Sequence, residues 1–212
     1  DVTHAPHIIL FPEISFNQKN FLLKVKEFVA KDGYCVVVAS EGIRNAKGKF
    51  LTESDTKDSF GHAQLGGVAP YLSNLVTKNL KLKTHWAVPD YLQRSARHLS
   101  SKVDFMHAQA VGVKAVEYAV QGMNSVMPII VRGKTKKYSW KIEPAPLSKI
   151  ANVEKKLPKS FITKDGYNIT NKALDYLKPL IKGEAEITYK NGLPKISRLK
   201  LIEVNKKLSS WS

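Results

Sequence analysis

Residues 7–42, HIILFPEISFNQKNFLLKVKEFVAKDGYCVVVASEG, decide the fold. Ile8 to Phe11 form a short apolar run that stops at Pro12, which cannot donate to a strand ladder, and leaves through Glu13. After the polar SFNQ, Phe21, Leu22, Val25, Phe28 and Val29 recur at helical spacing, and Gly33 stands where a C-cap belongs. CVVVAS is a second apolar run, β-branched or small throughout, and again exits on an acidic residue and a glycine, Glu41-Gly42. The pattern predicts buried strand, helix, buried strand. A crossover helix makes such strands parallel, so the fold class is α/β with a parallel sheet in a three-layer, Rossmann-like arrangement.

Working outward, the polar stretch from Ile43 to Ser59 reads as a mobile surface loop. A helix is predicted from Gly67 to Asn79, with Pro70 tolerable in its first turn, and LKTHWAV (82–88) is a third strand candidate that PDYLQRSARHLSS leaves. Asp104 is the expected cap of a long helix whose apolar face is Phe105, Ala108, Val111, Ala115, Ala119 and Val120, ending at Gly122. VMPIIV (126–131) is the next strand. Beyond Arg132 the chain is richer in Lys and Pro. The expected division is therefore a core over 1–132 and an appended basic segment over 133–212, where Asn191-Gly192 in ITYKNGLPKIS marks a hairpin.

With 212 residues, 43% of them hydrophobic, the chain can bury a core and is not a disordered polymer. No run reaches the roughly 20 apolar residues of a bilayer span, and DVTHAPHIIL lacks the basic-then-apolar order of a secretion signal, so a soluble protein is expected. The absence of an initiating Met suggests a processed chain or a piece of a longer one. The lone Cys35 excludes an internal disulfide and a multi-cysteine metal site, and fits a reducing compartment. The net charge of +16 raises nucleic acid, an anionic surface or a phosphorylated ligand as partners. Residues 1–132 hold 16 Lys and Arg against 11 Asp and Glu, whereas 133–212 hold 18 against 7. Only five of the 34 basic residues are Arg, the residue whose planar fork reads phosphate bidentately, so the Lys excess also fits plain solvated surface.

In open parallel sheets ligands lie beyond the carboxyl ends of the strands, which singles out Glu13, Glu41 and the Tyr91–Arg94 segment. A glutamate there can accept hydrogen bonds from sugar hydroxyls or cap the next helix. Arg94, beside Tyr91 and Gln93, can hold a phosphate or pair with a neighbouring carboxylate. FGHAQLGG (60–67) has glycines ahead of a helix, as an anion site does, but lacks GxxxxGK[ST] and GxGxxG, and close packing of a tight loop accounts for it equally. The histidines at 4, 7, 62, 85, 98 and 107 show no ligand spacing, so no metal site is assigned, and no GxSxG nucleophile motif is present.

Four ordered blocks, VVVASEGIR, FGHAQLGGVAPYL, KTHWAVPDYLQRSARHLSSKVD and AVEYAVQGMNSVMPIIVR, together resemble the carboxyl-terminal half of phosphofructokinases. The tail segments PLSKIANVEKKLP, FITKDGYNIT, YLKPLIKGEAE and NGLP resemble the long, diphosphate-dependent bacterial type. The resemblance implies a cytoplasmic glycolytic phosphotransferase that moves a phosphoryl group from diphosphate, less favourably ATP, with magnesium, to the 1-hydroxyl of fructose 6-phosphate. It implies that Glu13 holds sugar hydroxyls, that Tyr91 and Arg94 of YLQR form the substrate segment with Arg94 on the 6-phosphate, and that His85 stands where relatives have a phosphate-reaching arginine. No catalytic residue is assigned within this chain. GGDG or GGDD, a TIDND-like segment and MGR, which precede Glu13 in the family, do not occur. The chain is accordingly expected to be the acceptor-substrate half, isolated from a longer enzyme and incompetent for turnover alone. Family members thread the chain between lobes, so the helix at 104–122 and VMPIIV would help build the other lobe. Exposed apolar surface, a missing amino-terminal half and homo-oligomerisation are expected. The alternatives are a Lys-rich module that binds nucleic acid or an acidic partner through residues 133–212, and a non-catalytic regulatory subunit.

Overall fold

The computed structural model describes residues 6–57, 63–65, 67–135, 137–203 and 205. Strand β1 (Ile8–Leu10) pairs in parallel with β2 (Val37–Ala39), Ile8 opposite Val37 and Leu10 opposite Ala39. Helix α1 (Gln18–Asp32) joins them. Asn17 caps it by accepting from the Asn20 amide at 2.9 Å, and Gly33, at φ 80°, ends it by donating to Val29. Helix α2 (Val68–Leu80) begins after Gly67, at φ 86°. Its Val68, Leu72 and Val76 meet Ile8, Leu10, Phe21, Val25 and Ile43 in one buried cluster. The predicted strand–helix–strand nucleus is thus the core. Only one face of β2 joins it: Val37 and Ala39 pack inward, while Val38 is 52% exposed.

The stretch after Ile43 is not the loop predicted. Ile43 is 1% exposed and belongs to the core. A turn follows in which Asn45 Oδ1 accepts from the amides of Lys47 (2.9 Å) and Lys49 (3.2 Å). Arg44 lies 3.8 Å over the Phe50 ring and donates to the Gly48 carbonyl. Strand β3 (Glu53–Lys57) then pairs antiparallel with β4 (Ala63–Leu65). Local side-chain-to-backbone bonds order this polar sequence, which hydrophobic periodicity does not register. Of FGHAQLGG, only Ala63–Leu65 and Gly67 fall within the described residues, as do the histidines other than His4 and His62.

LKTHWAV forms no strand. It runs along α2, where the Thr84 hydroxyl lies 2.6 Å from that of Ser73 and 3.0 Å from that of Thr77. Hydroxyl contacts, not a ladder, decide its course. The chain then turns through the short helix α3 (Leu92–Ser95) into α4 (Lys102–Val120).

Ser101, not Asp104, caps α4: its hydroxyl accepts from the Asp104 amide at 3.0 Å and donates to the Leu180 carbonyl at 2.5 Å. Asp104 sits in the first turn, where a carboxylate complements the helix dipole. VMPIIV forms part of β5 (Val126–Arg132), paired antiparallel with β6 (Trp140–Pro146), so it lies outside the parallel pair and its hairpin spans Arg132. Helix α4 turns His107 toward this hairpin. His107 is 5% exposed, its ring edge-on to Trp140 at 4.5 Å and its Nε2 3.1 Å from the Tyr138 hydroxyl. The predicted apolar face points elsewhere, with Phe105, Ala108, Ala115, Ala119 and Val120 exposed and Val111 partly covered. A hairpin presenting an indole and a phenol selects an imidazole, which periodicity of apolar residues alone does not anticipate. Helix α5 (Asn171–Leu177), capped by Thr170, and a hairpin of β7 (Tyr189–Lys190) and β8 (Leu193–Pro194) complete the chain. Asn191 and Gly192, both at positive φ, make the predicted two-residue turn. No helix among the described residues is long and apolar enough to cross a membrane.

Candidate functional site

Glu13 stands three residues beyond the end of β1, on the chain leaving the sheet. Its Oε1 accepts from the Leu157 amide at 2.8 Å, while its Oε2 is buried with no partner among the described residues. A buried carboxylate oxygen without a donor costs free energy, on the order of 1–3 kcal/mol or more for a charged group, which marks Glu13 as a group whose second oxygen lacks its partner among the described residues. Glu41 lies in the turn after β2, half-buried, where the Gly42 amide donates to the Ser40 hydroxyl; among the described residues no helix cap involves Glu41.

The second set of residues sits on the basic segment between α2 and α4. Asp90 adopts φ 47°, the Leu92 amide donates to the Pro89 carbonyl at 2.8 Å, and the chain enters a single helical turn. Three-residue spacing on that turn puts Tyr91 and Arg94 side by side, with the guanidinium 5.5 Å from the ring centroid. Both are exposed, Tyr91 to 71%, and so is His85. Arg97 is occupied otherwise. It donates to the carbonyls of Ala185 (3.1 Å) and Glu186 (3.3 Å) and covers the Phe105 ring at 4.1 Å, which pins the segment to the tail. Among the described residues Arg94 therefore has no hydrogen bond or ion pair from its guanidinium, only the contact with the Tyr91 ring, and such a fork beside a phenol suits an anion.

The structure thus brings Tyr91 and Arg94 together and places Glu13 separately. No hydrogen bond, ion pair or ring contact joins Glu13 to His85, Tyr91 or Arg94 among the described residues. The sequence reading missed Leu157 as Glu13's partner. A backbone amide carries no side-chain signature, so only geometry could reveal it. Among the described residues, His, Cys, Asp and Glu side chains do not gather in groups of three or more that could hold a metal ion.

Residues 2–119 match the family model described as Phosphofructokinase. The chain belongs to the phosphofructokinase family. It is 57% identical over 209 residues, 98% of its length, to a pyrophosphate–fructose 6-phosphate 1-phosphotransferase of Xanthomonas campestris pv. campestris, and 50% identical over 206 residues to one of Halomonas elongata. It spans about half the length of these relatives, 50% and 49%. Among solved structures it superposes on a pyrophosphate-dependent phosphofructokinase from Nitrosospira multiformis with a TM-score of 0.79 at 51% identity, covering 98% of this chain and 48% of that one. The α/β phosphofructokinase-type fold read from the sequence is therefore the fold of this chain, and its similarity to diphosphate-dependent relatives extends through the tail.

Proposed function

We propose that this chain is the fructose 6-phosphate-binding half of a diphosphate-dependent 6-phosphofructokinase. The observation that carries the reading is the Glu13 carboxylate, which has one oxygen tied to Leu157 and the other buried with no partner among the described residues. A carboxylate is a good neighbour for sugar hydroxyls and a poor one for phosphate, so Glu13 takes the hydroxyl end of the substrate. Arg94, exposed, takes the 6-phosphate, with Tyr91 at its side donating a phenolic hydroxyl. His85, exposed on the same segment, adds a weaker contact than the arginine of relatives, since an imidazole presents fewer N–H donors than a guanidinium fork.

The reaction this binding serves is attack of the sugar 1-hydroxyl oxygen on a phosphorus of diphosphate. A new P–O bond forms, the bridging P–O bond breaks with release of phosphate, and the hydroxyl proton passes to a general base. Glu13 and Arg94 contribute orientation. The names of the similar relatives support diphosphate over ATP as donor. The base, the donor site and the magnesium ligands belong with the glycine-rich and aspartate motifs that this sequence does not contain. We take residues 1–132 as family core and 133–212 as the extension of the long subgroup. Association with a further half or a second copy would cover the apolar side chains left outward on α4, such as Val116 and Val120.

The test is a calorimetric titration with fructose 6-phosphate, with fructose as control. Selective saturable binding is expected, and Arg94→Ala weakens it roughly ten- to hundredfold, the equivalent of about 1.5–3 kcal/mol for a charge-assisted contact. Unchanged affinity in that variant removes Arg94 from the site.

A further inference from the structure

We propose that the tail is part of the acceptor site: the Leu157 backbone amide is the positioning group that fixes the Glu13 carboxylate. This rests on the sugar-binding reading of Glu13 and extends it to a segment that carries no recognised substrate contact. Three contacts converge on the exit of β1. The Leu157 amide donates to Glu13 Oε1 at 2.8 Å, across 144 residues of sequence. The Ile9 amide donates to the Tyr167 carbonyl at 2.8 Å, so the tail lies along the edge of β1 that β2 does not occupy. Gly166, at φ 79°, passes so close to Ile14 that an added Cβ would sit 3.2 Å from its Cγ2, so a larger residue there would be strained in its backbone and would push Ile14 aside. Ile14 is the residue next to Glu13.

These contacts clamp the chain on both sides of Glu13. A glutamate has three side-chain torsions, and an unrestrained carboxylate would sample many positions before meeting a hydroxyl. One amide bond to Oε1 selects the orientation that leaves Oε2 buried with no partner among the described residues. Pro158 follows Leu157, has no N–H of its own and confines its predecessor to extended backbone, which holds the donating amide in place. The tail thereby does for the acceptor what a supporting residue does for a catalytic group: it removes freedom without touching the substrate.

Two measurements on the 212-residue chain test this. The first needs no ligand. In Glu13→Ala the Leu157 amide should lose its acceptor, exchanging with deuterium at least tenfold faster, while the Ile9 amide is unaffected. Equal Leu157 exchange in the two proteins overturns the proposal, whatever the chain binds. The second compares Leu157→Pro, which deletes the N–H, with Leu157→Met, which keeps it. Fructose 6-phosphate affinity should fall about tenfold in the first and return to within about threefold in the second, with fructose as control. Equal losses in both variants would assign Leu157 a packing role and overturn the proposal. If Leu157→Pro fails to fold, the exchange result and the Leu157→Met affinity still decide. Absence of fructose 6-phosphate binding by the unsubstituted chain, with slow Leu157 exchange intact, would sink the sugar reading while the clamp stands.

Discussion

Residues 8–80 and residues 82–203 are held together by different physics. In the first region Ile8, Phe21, Val25, Ile43, Val68, Leu72 and Val76 share one dry cluster between a parallel strand pair and two helices. In the second, the described residues that are buried are few, His107, Ile162, Gly166 and Ala173, and cohesion comes from specific polar and ring contacts. Ser101 ties α4 to Leu180, Arg97 ties the turn between α3 and α4 to Ala185, and Arg132 bridges β5 and α5. The lesson concerns where stability and where placement reside. Apolar burial is non-directional and tolerates repacking, whereas a network of directed bonds fixes geometry and loses it one bond at a time.

The largest expected effect breaks the first region. Phe21 is 1% exposed and touches Phe16 at a ring separation of 5.5 Å, so Phe21→Ala should cost about 3–5 kcal/mol in urea denaturation. Val116→Ala, on the outward face of α4 with Val116 64% exposed, should stay within about 0.5 kcal/mol. Similar costs for the two would mean that α4 is covered in solution and that the contrast between the regions is false.

A middle-sized effect probes the second region. Arg132 donates to the Tyr176 carbonyl at 2.7 Å and stacks between the Tyr138 and Tyr176 rings at 4.8 and 4.6 Å. Arg132→Met keeps the stem and removes the fork, and should cost about 1–2 kcal/mol, with faster amide exchange in α5 while α1 is unchanged. The Tyr138 hydroxyl gives a second readout. Burial raises its pKa above the usual phenol value, and the Arg132 charge works the other way. Removing that charge should therefore move the Tyr138 titration to still higher pH, followed by ultraviolet absorbance. A shift downward would mean that Arg132 is not beside Tyr138.

How much of this was legible follows the same division. The β1–α1–β2 part of the core could be read because its elements follow one another in one βαβ unit, so that Phe21, Val25 and Gly33 declare their places by spacing alone. The Asn191-Gly192 hairpin could be read because a positive-φ turn restricts its residues. The buried face of α4 could not, since its central residue is a histidine matched to Trp140 and Tyr138, which arrive from beyond Arg132. LKTHWAV failed as a strand because a strand needs a partner, and Thr84 found hydroxyls on α2 first. At the site, Arg94 and Glu13 were visible as scarce, chemically apt side chains at element ends. The Leu157 amide was invisible, being backbone.

The smallest effect sharpens the contrast from inside the first region. Cys35 sits just ahead of β2, and burial, aided by the negative charge of Asp32, pushes its thiol up to about 11 from an ordinary value of 9.0. The thiolate is the reacting form, so at pH 8 the folded chain should react with a disulfide reagent up to roughly a hundredfold more slowly than in urea. The rate should keep climbing past pH 9. The linkage has a definite sign. The unfolded thiol loses its proton near pH 9 while the folded one keeps it until about 11, so between these values the unfolded state binds fewer protons. Stability should then decline with rising pH in that window and be indifferent to this group at neutral pH. Partial exposure of Cys35 keeps the decline shallow. Because Cys35 packs against the core while its neighbour Val36 faces outward, the labelling rate reports how closely the edge of the nucleus is sealed. Rapid labelling at pH 8 would show that the nucleus opens at β2, the strand whose outer face is uncovered, and that even the better-packed region depends on a partner for its last layer.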